Sequence, residues 1–97
     1  MHYASRRPRQ NPGYRLEMID NELLLYHPSH TRILYCNETA SLVWHLSDGR
    51  RTTREIADLL ARAYPEAAET IPAEVSAVLA ELQQHRAIEY VVQDYGE

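Results

Sequence analysis

The hydrophobic pattern of this chain changes period once, at Asn37, and that change constrains the fold more than any other feature. Before it, apolar residues recur at the two-residue spacing of strands; after it, they recur at helical spacing. Tyr14–Ile19 partly alternates, with Leu16 and Met18 on one face, and Asp20-Asn21 is a tight-turn pair. Glu22–His27 (ELLLYH) is an apolar run broken by Pro28-Ser29-His30. Thr31–Cys36 (TRILYC) is rich in β-branched and aromatic residues. The spacing predicts a three-stranded antiparallel meander.

Asn37 then suits a helix N-cap, and Ala40, Val43, Trp44 and Leu46 form one face of a short helix that Ser47-Asp48-Gly49 stops. Thr52-Thr53-Arg54-Glu55 reads as a capping box. Ile56, Leu59, Leu60, Ala63 and Tyr64 mark the apolar face of helix two, which Pro65 ends. Helix three has Pro72 in its first turn and Glu74 close by, with Val75, Val78, Leu79 and Leu82 as its stripe. Ile88–Val92 (IEYVV) reads as a final short strand or extended segment. None of these helices would be stable alone, so they must pack on one another and on the sheet. The fold class is α+β and winged-helix-like: a three-stranded antiparallel sheet followed by a three-helix bundle.

Residues 1–13 are basic, polar and broken by Pro8 and Pro12, which predicts a flexible tail. The domain then spans residues 14–92, with a short C-terminal tail over 93–97. At 97 residues the chain is one domain, long enough to fold without staples. No apolar run approaches a membrane span, and no apolar stretch follows the basic N-terminus, so the expected location is cytoplasmic with no membrane partner.

Composition excludes several chemistries. All ten basic residues are Arg, which removes a Schiff-base or phosphate-loop lysine. The one cysteine, Cys36, rules out an internal disulfide and a multi-cysteine zinc site. His27 and His30 flank a turn and have no third ligand at a metal-binding spacing. Cys36 precedes a helix cap, as a nucleophile could, but it also ends an apolar strand, where a small buried residue fits. Net charge is −4, and Arg6, Arg7 and Arg9 belong to the tail, leaving the body near −7, a sign that repels phosphate. These residues predict no catalysis, no cofactor, no metal and no nucleic-acid partner.

The third predicted strand stands out. As a sheet edge it carries one charge, Arg32, and no Pro or bulge to guard it. An open apolar edge beside a helix is a site for adding a peptide strand, unless IEYVV covers it.

The ordered set Leu34, Asn37, Ala40, Trp44, Leu46, Asp48-Gly49, Thr53, Glu55-Ile56, Leu60, Tyr64, Val75, Leu79, Leu82 and Ile88 resembles the PqqD-like family, over about residues 14–92. Two departures are Cys36, where such proteins usually have Leu, and His85-Arg86-Ala87-Ile88, where many have a Gly. The resemblance implies a non-catalytic domain that binds the leader of a ribosomal precursor peptide. It would present that leader to a modifying enzyme, often a radical SAM protein. The leader would add to the third strand and pack on the third helix. The implied peptide-binding residues are Arg32, Ile33, Leu34 and Tyr35 with Val75, Ser76, Val78, Leu79, Leu82, Gln83 and Arg86. The open edge also permits a weak dimer besides a monomer. The alternative is a small winged-helix DNA-binding regulator, but the helix-three segment has a single Arg, near its end, and two Glu.

Overall fold

The alternating segment folds as the meander its pattern predicts, and a computed structural model describes residues 6–29 and 31–91. The elements are β1 (Arg7–Gln10), β2 (Arg15–Ile19), β3 (Glu22–Tyr26), β4 (Ile33–Cys36), α1 (Glu38–Leu46), α2 (Thr53–Ala63), a 3-10 turn (Pro65–Ala67), α3 (Ile71–Gln84) and β5 (Ile88–Val91). β2, β3 and β4 form an antiparallel sheet in that order. Leu23 stands opposite both Met18 and Cys36, and Leu25 opposite both Leu16 and Leu34. Period-two alternation therefore puts these six side chains on one face. Leu23, Leu25, Leu34 and Cys36 are buried there, whereas Leu16 and Met18 on β2 stay exposed.

The helix signals act as written. The Asn37 side chain accepts the Ala40 N–H at 2.9 Å. Thr52 and Glu55 close a complete capping box, the Thr52 hydroxyl accepting the Glu55 N–H at 3.1 Å and the Glu55 carboxylate accepting the Thr52 N–H at 2.8 Å. Between α1 and α2, Gly49 takes a left-handed φ of 84°. The Asp48 carboxylate accepts the Arg50 and Arg51 backbone N–H groups; those bonds and the Arg51 guanidinium hold it below its ordinary pKa. The core joins Leu23, Leu25, Val43, Trp44, Ile56, Leu60, Val75, Leu79, Leu82 and Ile88. Among the described residues no helix is long and apolar enough to cross a membrane.

The flexible tail expected over residues 1–13 is corrected. Residues 1–5 lie outside the described residues, as do Val92 and the expected C-terminal tail at 93–97, but Arg7–Gln10 is a strand. It pairs antiparallel with β5, Arg7 opposite Val91 and Gln10 opposite Ile88. On its other side it bonds the α1–α2 connection: Gln10 N–H to the Ser47 carbonyl at 3.0 Å, Gly49 N–H to the Pro8 carbonyl at 2.8 Å, and Thr53 N–H to the Arg6 carbonyl at 2.9 Å. Pro8 is fully buried, and Gln10 Nε2 donates to the Trp44 carbonyl at 2.8 Å. Arg9 pairs with Glu89 at 2.6 Å, and the Arg6 guanidinium stacks 3.8 Å from the Tyr90 ring centroid. The segment carries no apolar period because the backbone, not an apolar face, holds it in place.

Removing residues 1–10 is therefore expected to destabilise the domain by about 2–4 kcal/mol, because several backbone bonds go and Ile88 loses cover. Urea unfolding of the truncated chain measures this; an unchanged midpoint would show that β1 contributes nothing.

Candidate functional site

The edge of β4 is open. One side pairs with β3, and β5, which could have covered the other, pairs with β1. Among the described residues no strand lies against it. Pleating divides its side chains: Leu34 and Cys36 point into the core, while Ile33 and Tyr35 are 65% and 57% exposed on the far face of the sheet. There Ile33 stands opposite Tyr26 and Tyr35 opposite Leu24. The Glu22 carboxylate, hydrogen-bonded to the Tyr35 hydroxyl, raises that phenol's pKa.

The end of helix α3 lies beside this edge, and two clefts open on the surfaces of α3 and its neighbours. One, of about 390 Å³, is lined by Thr31, Arg32 and Leu34 on the strand side and by Gln84, His85 and Arg86 at the end of α3, with Tyr14 and Ser29 completing it. The Tyr14 hydroxyl donates to the His85 carbonyl, tying the meander to the helix end. The other cleft, of about 230 Å³, lies among the helices, lined by Glu38 and Leu42 of α1, Leu60 of α2, Tyr64, Glu66, and Ile71 and Glu74 of α3, with no β4 residue in it. The Glu81 carboxylate acts electrostatically on Cys36. The end of α3 towards the strand presents Gln84 and His85.

The sequence-predicted site residues separate accordingly. Arg32, Leu34 and Arg86 meet in the first cleft. Ile33 and Tyr35 face away from α3 and offer their backbone alone to that side. Val75, Leu79 and Leu82, named as peptide-binding by the resemblance, are fully buried, because the stripe that identified helix three is the stripe it buries in its own domain. Val78 is half-buried at the border of that stripe. Ser76 and Gln83 are exposed, seven residues apart on one face, and line neither cleft. The sequence missed Gln84 and His85, which sit at the helix end beside the start of β4 rather than on the apolar stripe.

The end of α3 has an unusual turn. Ala87 N–H bonds the Leu82 carbonyl at 2.8 Å and Arg86 N–H the Gln83 carbonyl at 2.9 Å, the Schellman pattern. Its left-handed position is normally Gly; here it is Arg86, with φ 63°. A β-carbon in that region costs roughly 1–2 kcal/mol. Asn11 steadies it, its Nδ2 donating to the Arg86 carbonyl at 2.8 Å.

The remaining chemistry is inert. Burial pushes the Cys36 thiol up to about 11, and Glu81 adds to the shift, so the thiolate is scarce near neutral pH. His27 accepts the Ser29 N–H and meets Tyr14 edge-on; His30 lies outside the described residues. Among the described residues no three His, Cys, Asp or Glu side chains gather as a metal site.

With this geometry in view, comparisons identify the family. The sequence profile described as "Coenzyme PQQ synthesis protein D (PqqD)" matches residues 22–88, well over half of the chain. The chain belongs to the PqqD family. It is 33% identical to the PqqD truncation of Methylobacterium extorquens PqqCD, described as a functional, stand-alone RiPP recognition element; the match covers 84% of this chain and 87% of that one, with a TM-score of 0.67. It shares the fold of TbiB1, solved in complex with the TbiA(beta) leader peptide, at 19% identity and a TM-score of 0.72, over 88% of this chain and 99% of that one. No curated protein matches. The PqqD fold comprises the meander and the three helices, as the sequence predicted.

The thiol gives a test of this geometry. Cys36 is expected to resist iodoacetamide at about pH 8 in the folded protein and to react once urea unfolds it. Because its folded pKa lies above the ordinary 9.0, its stabilising contribution is complete below that value and is lost as pH rises towards about 11. A Cys36→Ala variant should lack that part of the alkaline loss.

Proposed function

We propose that this domain is a non-catalytic carrier of a ribosomal precursor peptide. The leader binds as an added strand along β4, packs against the flank of α3, and is thereby presented to a modifying enzyme such as a radical SAM protein. The observation that carries the reading is the unpaired β4 edge beside α3, left open because β5 pairs with β1. Support comes from the described roles of the two similar structures, one a stand-alone recognition element and the other bound to a leader.

Main-chain hydrogen bonds along residues 31–36 would fix the register and tolerate many side chains. Specificity would come from the cleft that Arg32, Leu34 and Arg86 line. Of the residues named from the sequence, Arg32, Leu34, Val78 and Arg86 keep a place in this reading, with Ile33 and Tyr35 contributing backbone. A leader disordered before binding loses a few kcal/mol on ordering, so the net affinity expected is about −8 to −12 kcal/mol, micromolar to nanomolar. The carrier acts in the cytoplasm as a monomer, and a second copy pairing through β4 would compete with the leader. Helix α3 carries no basic residue at all, which disfavours a role as a DNA-reading helix.

The test is a labelled leader from the short open reading frame beside the gene, titrated by fluorescence anisotropy. Micromolar or tighter binding is expected. Amide exchange followed by NMR should show the outward-pointing N–H groups of residues 31–36 gaining protection on saturation. Binding that leaves those amides unprotected would refute strand addition.

A further inference from the structure

Two arginines line one cleft at the start of β4, with no acid in its described lining. Arg32 precedes β4, Arg86 follows α3, and both line the cleft of about 390 Å³ that opens on the β4 edge. Among the described residues neither side chain has an ion pair or hydrogen-bond partner, whereas Arg9 and Arg51 are each paired with a carboxylate. The rest of the lining offers Ser29 and Thr31 hydroxyls, the Gln84 amide, the His85 ring and the Tyr14 hydroxyl, and no carboxylate.

The placement of Arg86 adds a second, independent observation. It occupies the left-handed position of the helix stop, where Gly is the unstrained residue. Three backbone contacts, from Asn11 Nδ2, to Gln83 and through Ala87, hold the turn whatever side chain it bears. The cap itself therefore does not need an arginine, and a strained side chain kept at a ligand groove points to a role outside the fold.

Resting on the strand-addition reading above, we propose that the Arg32–Arg86 cleft is a specificity pocket for an Asp or Glu side chain of the bound leader. One carboxylate takes both guanidinium groups. The pocket sets the register of a strand whose main-chain bonds would otherwise permit sliding by two residues.

The experiment is a phage-displayed library of random 12-residue peptides panned on the full chain, with the fluorescein-labelled consensus peptide then titrated. One Asp or Glu position should be enriched among alternating apolar residues. Changing that acid to Asn or Gln should weaken binding about five- to tenfold, as expected for a charge-assisted contact partly open to water. Arg32→Gln and Arg86→Gly should each weaken the acidic peptide by a similar factor and leave its amide analogue unaffected. Arg86→Gly should at the same time raise the melting temperature, since it relieves the left-handed strain, so weaker binding cannot be blamed on unfolding. An acid-free consensus, or equal effects of Arg86→Gly on the acidic and amide peptides, would overturn the pocket while leaving strand addition standing. Selected peptides that fail to protect the β4 amides, or no enrichment at all, would overturn both.

Discussion

The antiparallel pairing of Arg7–Gln10 with Ile88–Val91 is the contact on which the site depends. β5 follows α3 as a short strand that needs a partner, and pairing with the open β4 edge is one option a chain of this kind allows. The N-terminal segment removes that option by giving β5 another neighbour. It is itself fixed from the other side, through the Ser47, Gly49 and Thr53 backbone bonds to the α1–α2 connection. One short, mostly polar strand thereby closes one sheet edge and keeps another open.

Local chemistry decided which of these elements could be read in advance. The caps at Asn37 and Thr52, the Asp48-Gly49 turn and the stripes of three helices act within four or five residues, so the sequence displays them. The meander was legible for the same reason, since its alternation and turn pairs are local. β1 was not, because its partners lie about 40 and 80 residues away and hold it through backbone bonds and the polar side chains of Arg9 and Gln10 rather than through a periodic apolar face. The helix-three residues of the groove fell between the two cases. Periodicity finds the buried stripe of Val75, Leu79 and Leu82, but the ligand-facing flank is defined only by where β4 lies. That position is a tertiary fact.

Arg86 shows how a departure from a family's pattern can carry information. Where the resemblance leads one to expect Gly, this chain places a charged side chain in a conformation that Gly would adopt without strain. The hydrogen bonds of the helix stop are complete regardless, and the hydrophobic contact between Leu82 and Ala87, both buried, closes the motif. The strain of roughly 1–2 kcal/mol is a noticeable share of a small domain's stability. It is compatible with folding because Ile71, Val75 and Leu79 secure α3 ahead of its last turn.

An open strand edge is a hazard for any soluble chain, because it templates pairing with other strands. The two free edges of this meander carry the hazard differently. β2 bears Arg15 and Glu17 among its five residues and packs chiefly on β3, so a strand added there would find charges and no helix behind it. β4 has no charge among Ile33–Cys36, but it is four residues long and is bordered by Arg32 and Arg86. Indiscriminate apolar strands would gain few main-chain bonds on so short an edge and would meet unpaired charges at its margins. The same charges that discourage aggregation would then be the ones a cognate leader satisfies, so protection of the edge and selection of its ligand fall to a single set of side chains.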